Sequence, residues 1–250
     1  MAIMEFLTRN QIQTTTMILV DSGTATVANL IDRNKNTQYV TEGYESNTST
    51  IISIEFGQPT VLSNILIQNH NLLDFRIFYD SVTANSIDIV SGNSSTSYYK
   101  YINSITVSSL QLQMDTTIVT AQEKQVGQFI ANERNFQFER NPSIKNFKPV
   151  IDRFQVQHIM ADGGVVLHNI RDKYQTKLKF EFITETFYNQ LLSLYETGSP
   201  IYYVPFPTTT AWDGNAYEMA WVKDFDFNYS SNVKGIGYTG KVTLEETPGA

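Results

Sequence analysis

Ile51-Ile-Ser-Ile-Glu-Phe-Gly-Gln-Pro-Thr-Val-Leu-Ser-Asn-Ile-Leu-Ile-Gln68 is the stretch on which the fold turns. Two runs rich in β-branched residues, 51–56 and 61–68, flank Gly57-Gln58-Pro59, a combination with strong turn chemistry. The reading is two strands joined by a turn, the second stopping in the polar cluster Asn69-His70-Asn71. Working outward, the pattern recurs. Phe75 to Tyr79 alternates and meets Asp80-Ser81, and Ile87 to Val90 runs into a loop at Ser91 to Ser95. Ile105 to Val107 and Leu110 to Met114 show the period-two alternation of half-buried strands. Short strands at this spacing, with no helix between them, predict a sandwich or a barrel.

Composition agrees. The 250 residues leave room for one large β domain or two ordinary ones. With 41% hydrophobic residues, 14 Tyr and 15 Phe, the chain can bury a sizeable core. The net charge of −7 is spread evenly, so no electrostatic footprint for nucleic acid is expected. The densest basic group, Lys145 to Arg153, is interrupted by Pro149. There is no cysteine, which excludes disulfides, thiolate metal sites and a cysteine nucleophile, and favours cytoplasmic synthesis. Met1 to Leu7 has neither the basic region nor the apolar run of a signal peptide. No stretch approaches the roughly 18 apolar residues of a membrane span. The expectation is a soluble chain without an anchor.

The division predicted from the sequence is 1–122, a connecting segment 123–150 that includes the strand Gly127-Gln-Phe-Ile130, and a second domain 151–250. The second half is predicted to open on a hairpin: Arg153 to Ile159 alternates, Asp162-Gly163-Gly164 turns, and Val165 to His168 returns. Tyr174 to Phe182 predicts a strand with Leu178, Phe180 and Phe182 on one face. One helix is predicted, about 184–197. Thr184 serves as N-cap, Glu185 lies in the first turn, Phe187, Leu191, Leu194 and Tyr195 recur at helical spacing, and Gly198-Ser199-Pro200 stops it. Strands resume at Ile201 to Val204, Ala216 to Val222, Phe225 to Tyr229 and Gly237 to Leu244. The class is all-β with a single helix on an antiparallel sheet.

Ala28-Asn-Leu-Ile-Asp-Arg-Asn-Lys-Asn-Thr-Gln-Tyr39, followed by the strand ending at Gly57 and by Ile67-Gln-Asn-His-Asn-Leu72, resembles the opening of a discoidin-like (coagulation factor 5/8 C-type, galactose-binding-like) jelly roll. The resemblance covers roughly Thr14 to Ile118. It departs at Arg33, where glycine is usual, and at Tyr39, where tryptophan is usual. The later run, from Gln125 through Asp162-Gly-Gly164 to Val204, looks like the second part of phage tail proteins. These combine such a jelly roll with a tail-tube or distal-tail β-barrel or sandwich bearing one helix. What this implies is a non-enzymatic virion component synthesised in the host cytoplasm: a tail-tip, baseplate or distal-tail protein assembling with other phage tail proteins, and with itself, as a ring. A carbohydrate-binding module attaching to a host-surface glycan is the alternative.

Candidate sites are few. Tyr39, Tyr44, Tyr98, Tyr99 and Trp212 lie in or beside polar loops, where aromatic rings anchor interfaces, stack on sugars, or fold back over their own barrel. The segment 201–221, broken by Pro205, Pro207 and Trp212-Asp213-Gly214, is the candidate inter-subunit arm. Asp32, Asn34 and Asn36 alternate as calcium ligands do, without the glycine and final glutamate of an EF-hand. No other cofactor is indicated. His158 and His168 should face each other across the hairpin as a structural pair and not as metal ligands. His70 with Asp74 lacks the nucleophile elbow of a hydrolase. Neither Asp224 with Asp226 nor Glu245 with Glu246 marks a cleft. No residue is nominated as catalytic.

Overall fold

A computed structural model describes residues 4–7, 10–34, 36–43, 48–133, 136–143, 150–160, 164–198, 201–205, 216–229 and 236–247, without the side chains of 152–154, 169–172 and 236. The chain divides into two compact units. The first comprises Met1–Phe136, Val204–Ala216 and Pro248–Ala250, and the second Gln137–Tyr203 and Tyr217–Thr247.

The first unit carries β1 (Glu5–Leu7), β2 (Ile18–Val20), β3 (Tyr39–Val40), β4 (Thr50–His70), β5 (Leu72–Tyr79), β6 (Ser86–Val90), β7 (Ser97–Thr117) and β8 (Gln125–Asn132). Seven-residue and three-residue 3-10 turns, Thr24–Leu30 and Thr15–Met17, precede β3 and β2. The sheet order is β3-β8-β4-β7-β5-β6, with β2 added on β4, all antiparallel.

The predicted turn at Gly57 is instead a bulge within one long strand. The register of β4 on β7 jumps between Glu55↔Ser109 and Thr60↔Val107, so more residues of β4 than of β7 occupy the gap. Gly57 absorbs the extra chain at φ 66. The β4–β7 ribbon is irregular there, and its two halves serve one core. Ile52, Ile54, Leu110 and Leu112 come from one side of the bulge, and Leu62, Ile65 and Ile67 from the other, all packed in a single apolar cluster with Phe75, Ile77 and Phe129. Each such side chain removed from water contributes roughly 1.5–3 kcal/mol. One sheet folded on itself thus supplies the sandwich.

Strand β8 is central to this unit, paired to β4 on one side and β3 on the other. The segment expected to begin linking domains at 123 is therefore core instead. Gly127 is needed there, because a Cβ would sit 2.9 Å from Asn69 Cβ and 3.0 Å from Gln68 O.

A two-residue strand β9 (Phe136–Gln137) marks the division. The second unit contains β10 (Val150–Ile159), β11 (Val165–Thr184), α1 (Glu185–Thr197), β12 (Ile201–Val204), β13 (Tyr217–Trp221), β14 (Asp226–Tyr229) and β15 (Ile236–Glu246). Its strands follow the open order β10-β11-β15-β13-β12, with β14 also on β15. The helix is as the sequence predicts. Thr184 Oγ1 accepts the Phe187 amide at 3.2 Å, and Gly198 ends the helix at φ 60. Phe187 packs with Phe138 and Phe180, and Leu191 is fully buried.

Strand β11 departs from simple alternation. Leu178 and Phe180 are buried, but Phe182 is 51% exposed and Ile183 takes its place in the core. The register slips after Phe180 and Phe182 adopts φ 56, which turns the following side chains over. On β15, Gly240 allows close packing, since a Cβ would lie 2.4 Å from the Phe227 ring.

Candidate functional site

Tyr39 is not a loop-tip ring. It lies on β3 opposite Val126, is fully buried, and donates its hydroxyl to Ser22 O at 2.6 Å. The reading of Tyr39 as an exposed contact is corrected: the phenol fills the core and its polar tip is spent on a backbone carbonyl. Tyr98 and Tyr99 belong to β7 and not to a loop. Tyr98 sets its ring edge-on to Phe75 at 5.1 Å and donates to Asp88 Oδ2 at 2.5 Å. Burial first, then the Asp88 carboxylate, pushes its ionisation far above the ordinary tyrosine value. Tyr99 lies 2.7 Å from Asn64 Oδ1 and 3.0 Å from Glu5 Oε1, with one proton to share between them. Tyr44 and Trp212 lie outside the described residues.

That Tyr99 contact exposes something the sequence reading missed. Glu5, Asn64 and Asn132 are all buried, Asn64 and Asn132 being direct cross-strand partners. Asn64 Nδ2 and both polar atoms of the Asn132 amide have no hydrogen-bond partner among the described residues. Alternation gave no signal, because Ser63 to Ile67 of β4 is buried on both faces.

The oxygen-rich loop after Thr24–Leu30 is closed, and it is closed by an amide. Asp32 Oδ1 accepts the Asn34 amide at 2.8 Å, and Asp32 Oδ2 accepts the Thr37 hydroxyl at 2.5 Å. Asn34 Oδ1 accepts the Asn36 amide at 3.0 Å. Into this turn reaches Gln128 of β8, 1% exposed. Its Nε2 donates to Asp32 Oδ1 at 2.7 Å and Asn29 O at 3.1 Å, with Asn34 O at 3.4 Å. Its Oε1 accepts the Arg33 amide at 3.2 Å, with Arg33 at φ 61. Residue 33 thus holds a left-handed conformation that glycine adopts without strain. Calcium holds oxygens at about 2.3–2.6 Å and needs six to eight of them. Here the centre of the oxygen cluster is an N–H donor, so the loop does not fit calcium. Asn36, expected as a ligand, contributes its backbone amide instead.

His70 and Asp74 do not form a catalytic pair. His70 is buried, its Nδ1 accepts the Leu72 amide at 3.2 Å, and its Nε2 finds no partner among the described residues. Desolvation lowers its pKa to about 4. Asp74 accepts from Ser91 Oγ at 2.8 Å, Gly92 N at 2.9 Å and Thr116 Oγ1 at 2.5 Å. These bonds, Thr116 first, hold it below the ordinary carboxylate value. Three of the four acids read as pairs are occupied. Glu245 accepts from Lys173 Nζ and, at 2.6 Å, from Gln175; Lys173 in the first place keeps its pKa down against the opposing effect of burial. Glu246 accepts the Tyr174 amide at 3.1 Å, and Asp226 Oδ1 accepts from Asn228 Nδ2 at 3.3 Å. No cluster of three or more His, Cys, Asp or Glu suited to a metal occurs among the described residues. Among the described residues no helix is long and apolar enough to cross a membrane.

The expected arm 201–221 is partly corrected. Ile201, Tyr202, Tyr203 and Val204 are buried, with 201–203 paired to β13, and 206–215 lies outside the described residues. The exposed apolar element is the β10–β11 ribbon. Strand β15 pairs β11 only from Gln175 onward, so residues 165–174 pair with β10 alone. Around its tip both faces meet solvent: Ile159 is 74% exposed, Leu167 58% and Val165 53%, with Val156, Met160 and Val166 also open. The His158 and His168 rings meet edge-on there at 5.6 Å, diagonally across the pair.

No known protein family matches the chain, and no curated protein matches it. Among solved structures the chain is similar to chitosan-binding module 1 of a chitosanase/glucanase from Paenibacillus sp. IK-5, at 12% identity and a TM-score of 0.43, covering 50% of this chain and 99% of that one. It is similar to the module CpGH89CBM32-6 from Clostridium perfringens at 13% identity and a TM-score of 0.38, over 50% and 99%. A pectin-binding carbohydrate-binding module shares 17% identity at a TM-score of 0.38, over 51% and 94%.

Proposed function

We propose that this chain is a non-catalytic assembly protein of a phage tail, a tail-tip, baseplate or distal-tail subunit, whose β10–β11 ribbon docks onto a neighbouring protein subunit. One observation carries the reading. A two-stranded ribbon without a third strand is marginal in water, and this one leaves Val156, Ile159, Val165 and Leu167 exposed at its tip. Residues 155–160 and 164–168 include no Asp, Glu, Lys, Arg or Pro, the residues that normally guard an edge. Such a ribbon gains its missing layer from a partner. The phage setting rests on a fold-level analogy between the strand–helix–strand order of the second half and phage tail proteins.

Carbohydrate binding for host-surface attachment is the second reading. Similar solved modules are described as binding chitosan and pectin, and this property in the present chain would belong to its jelly-roll unit. It would not use Tyr39, whose ring is buried.

Sedimentation and negative-stain microscopy of the full chain, alone and with other tail proteins, test the assignment. Ring-sized assemblies are expected, and Ile159→Lys with Leu167→Lys should abolish them without lowering Tm. A wild-type chain that stays monomeric, joins no tail protein and binds an immobilised glycan would establish the second reading in place of the first.

A further inference from the structure

We infer that Gln128 is the keystone of the 29–37 loop: its side-chain amide occupies the position where a cation would gather these oxygens, and residue 128 decides whether the loop depends on metal. Three oxygens from one loop converge on a single nitrogen, Asn29 O, Asp32 Oδ1 and Asn34 O, within 3.4 Å of Gln128 Nε2. One of them belongs to a carboxylate, so the cluster favours positive charge at its centre. The amide supplies two polarised protons there without carrying net charge.

The orientation is fixed from the other side. Gln128 Oε1 faces the Arg33 amide, so the amide cannot flip without setting oxygen against oxygen and N–H against N–H. The loop is also held close to the sheet at Gly127, where a Cβ would lie 3.4 Å from Thr37 O. Gln128 is therefore both buried and directional. Among the described residues it is the side chain that ties β8 to Asn29, Asp32, Arg33 and Asn34 together.

Replacing that nitrogen with an oxygen reverses the demand. In Gln128→Glu a carboxylate oxygen faces Asp32 Oδ1 and two carbonyls, a repulsion that a divalent cation relieves. The variant should convert a metal-indifferent loop into a calcium site with two carboxylates and backbone oxygens, the donor set calcium prefers.

The test is thermal melting and calorimetric titration of the full-length wild type and of Gln128→Glu, each in chelator and in millimolar calcium. The wild type should melt at the same temperature in both and give no calcium binding isotherm. Gln128→Glu should melt lower in chelator by about 5 °C or more and recover in calcium, while Gln128→Ala should melt lower in both. Calcium binding by the wild type, a Gln128→Glu protein indifferent to calcium, or one that stays unfolded in calcium would each overturn the inference.

Discussion

The hydroxyl of the fully buried Tyr39 ends 2.6 Å from the carbonyl oxygen of Ser22. Removing that oxygen takes the donor away from a part-buried carbonyl, at about 1 kcal/mol. Tyr39→Phe is expected to lower stability in urea melts by that amount while leaving any oligomer intact. A variant as stable as wild type would mean the bond contributes nothing.

His70 should make the first unit acid-sensitive. Its folded pKa of about 4 lies below the ordinary 6.5, so the unfolded chain takes up the proton more readily. Its contribution is whole above 6.5 and is lost as pH falls toward 4. Asp74, held below its own ordinary value, loses its contribution only at still lower pH. Denaturant melts at steps from pH 7.5 to 4.5 should show wild-type stability falling and His70→Gln flatter. Equal slopes would remove His70 as the cause.

Arg33 sits at φ 61, where a side chain is strained. Arg33→Gly should therefore stabilise the protein, by roughly 0.5–1 kcal/mol. A rise in Tm of a few degrees is the expected readout, and a fall would show that the Arg33 side chain itself matters.

Thr184 caps the helix and also donates to Glu139 Oε2 at 2.6 Å, while Glu139 Oε1 accepts the Thr184 amide at 3.0 Å. Thr184→Ala should cost about 1 kcal/mol or somewhat more. A double-mutant cycle with Glu139→Gln should give a coupling of at least about 0.5 kcal/mol. Strict additivity would mean that the carboxylate is incidental.

These residues also show what was readable from the chain. Thr184 and Gly198 act within a few positions of themselves, so the helix and both its ends were legible. Gly57-Gln58-Pro59 was legible as a break, but a tight turn and a bulge share the same local chemistry; only the pairing of β4 with β7 separates them. Phe182 looked like the next core residue because alternation assumes an unbroken register. Asp32 and Asn34 announced an oxygen-rich loop. Gln128, more than ninety residues away, announced nothing, since one glutamine in a strand carries no hint of what it will reach. The alternation of Arg153 to Ile159 and Val165 to His168 shows the hairpin but not its exposure, which depends on where β15 stops pairing.

The long bulged pair of β4 and β7 carries a kinetic cost. Thr50 must find Met114 and Asn64 must find Asn132 before the apolar cluster can close, with all of β5 and β6 lying between the first two. Contacts so distant along the chain make folding slow, in the range of milliseconds to seconds. The helix and the β10–β11 hairpin, built from neighbours, need not wait. On a nascent chain the order of synthesis gives the slow unit its head start: β8 is made before β11, and at about 5–20 residues per second several seconds separate the two, time enough for the long search to finish before the sticky ribbon exists.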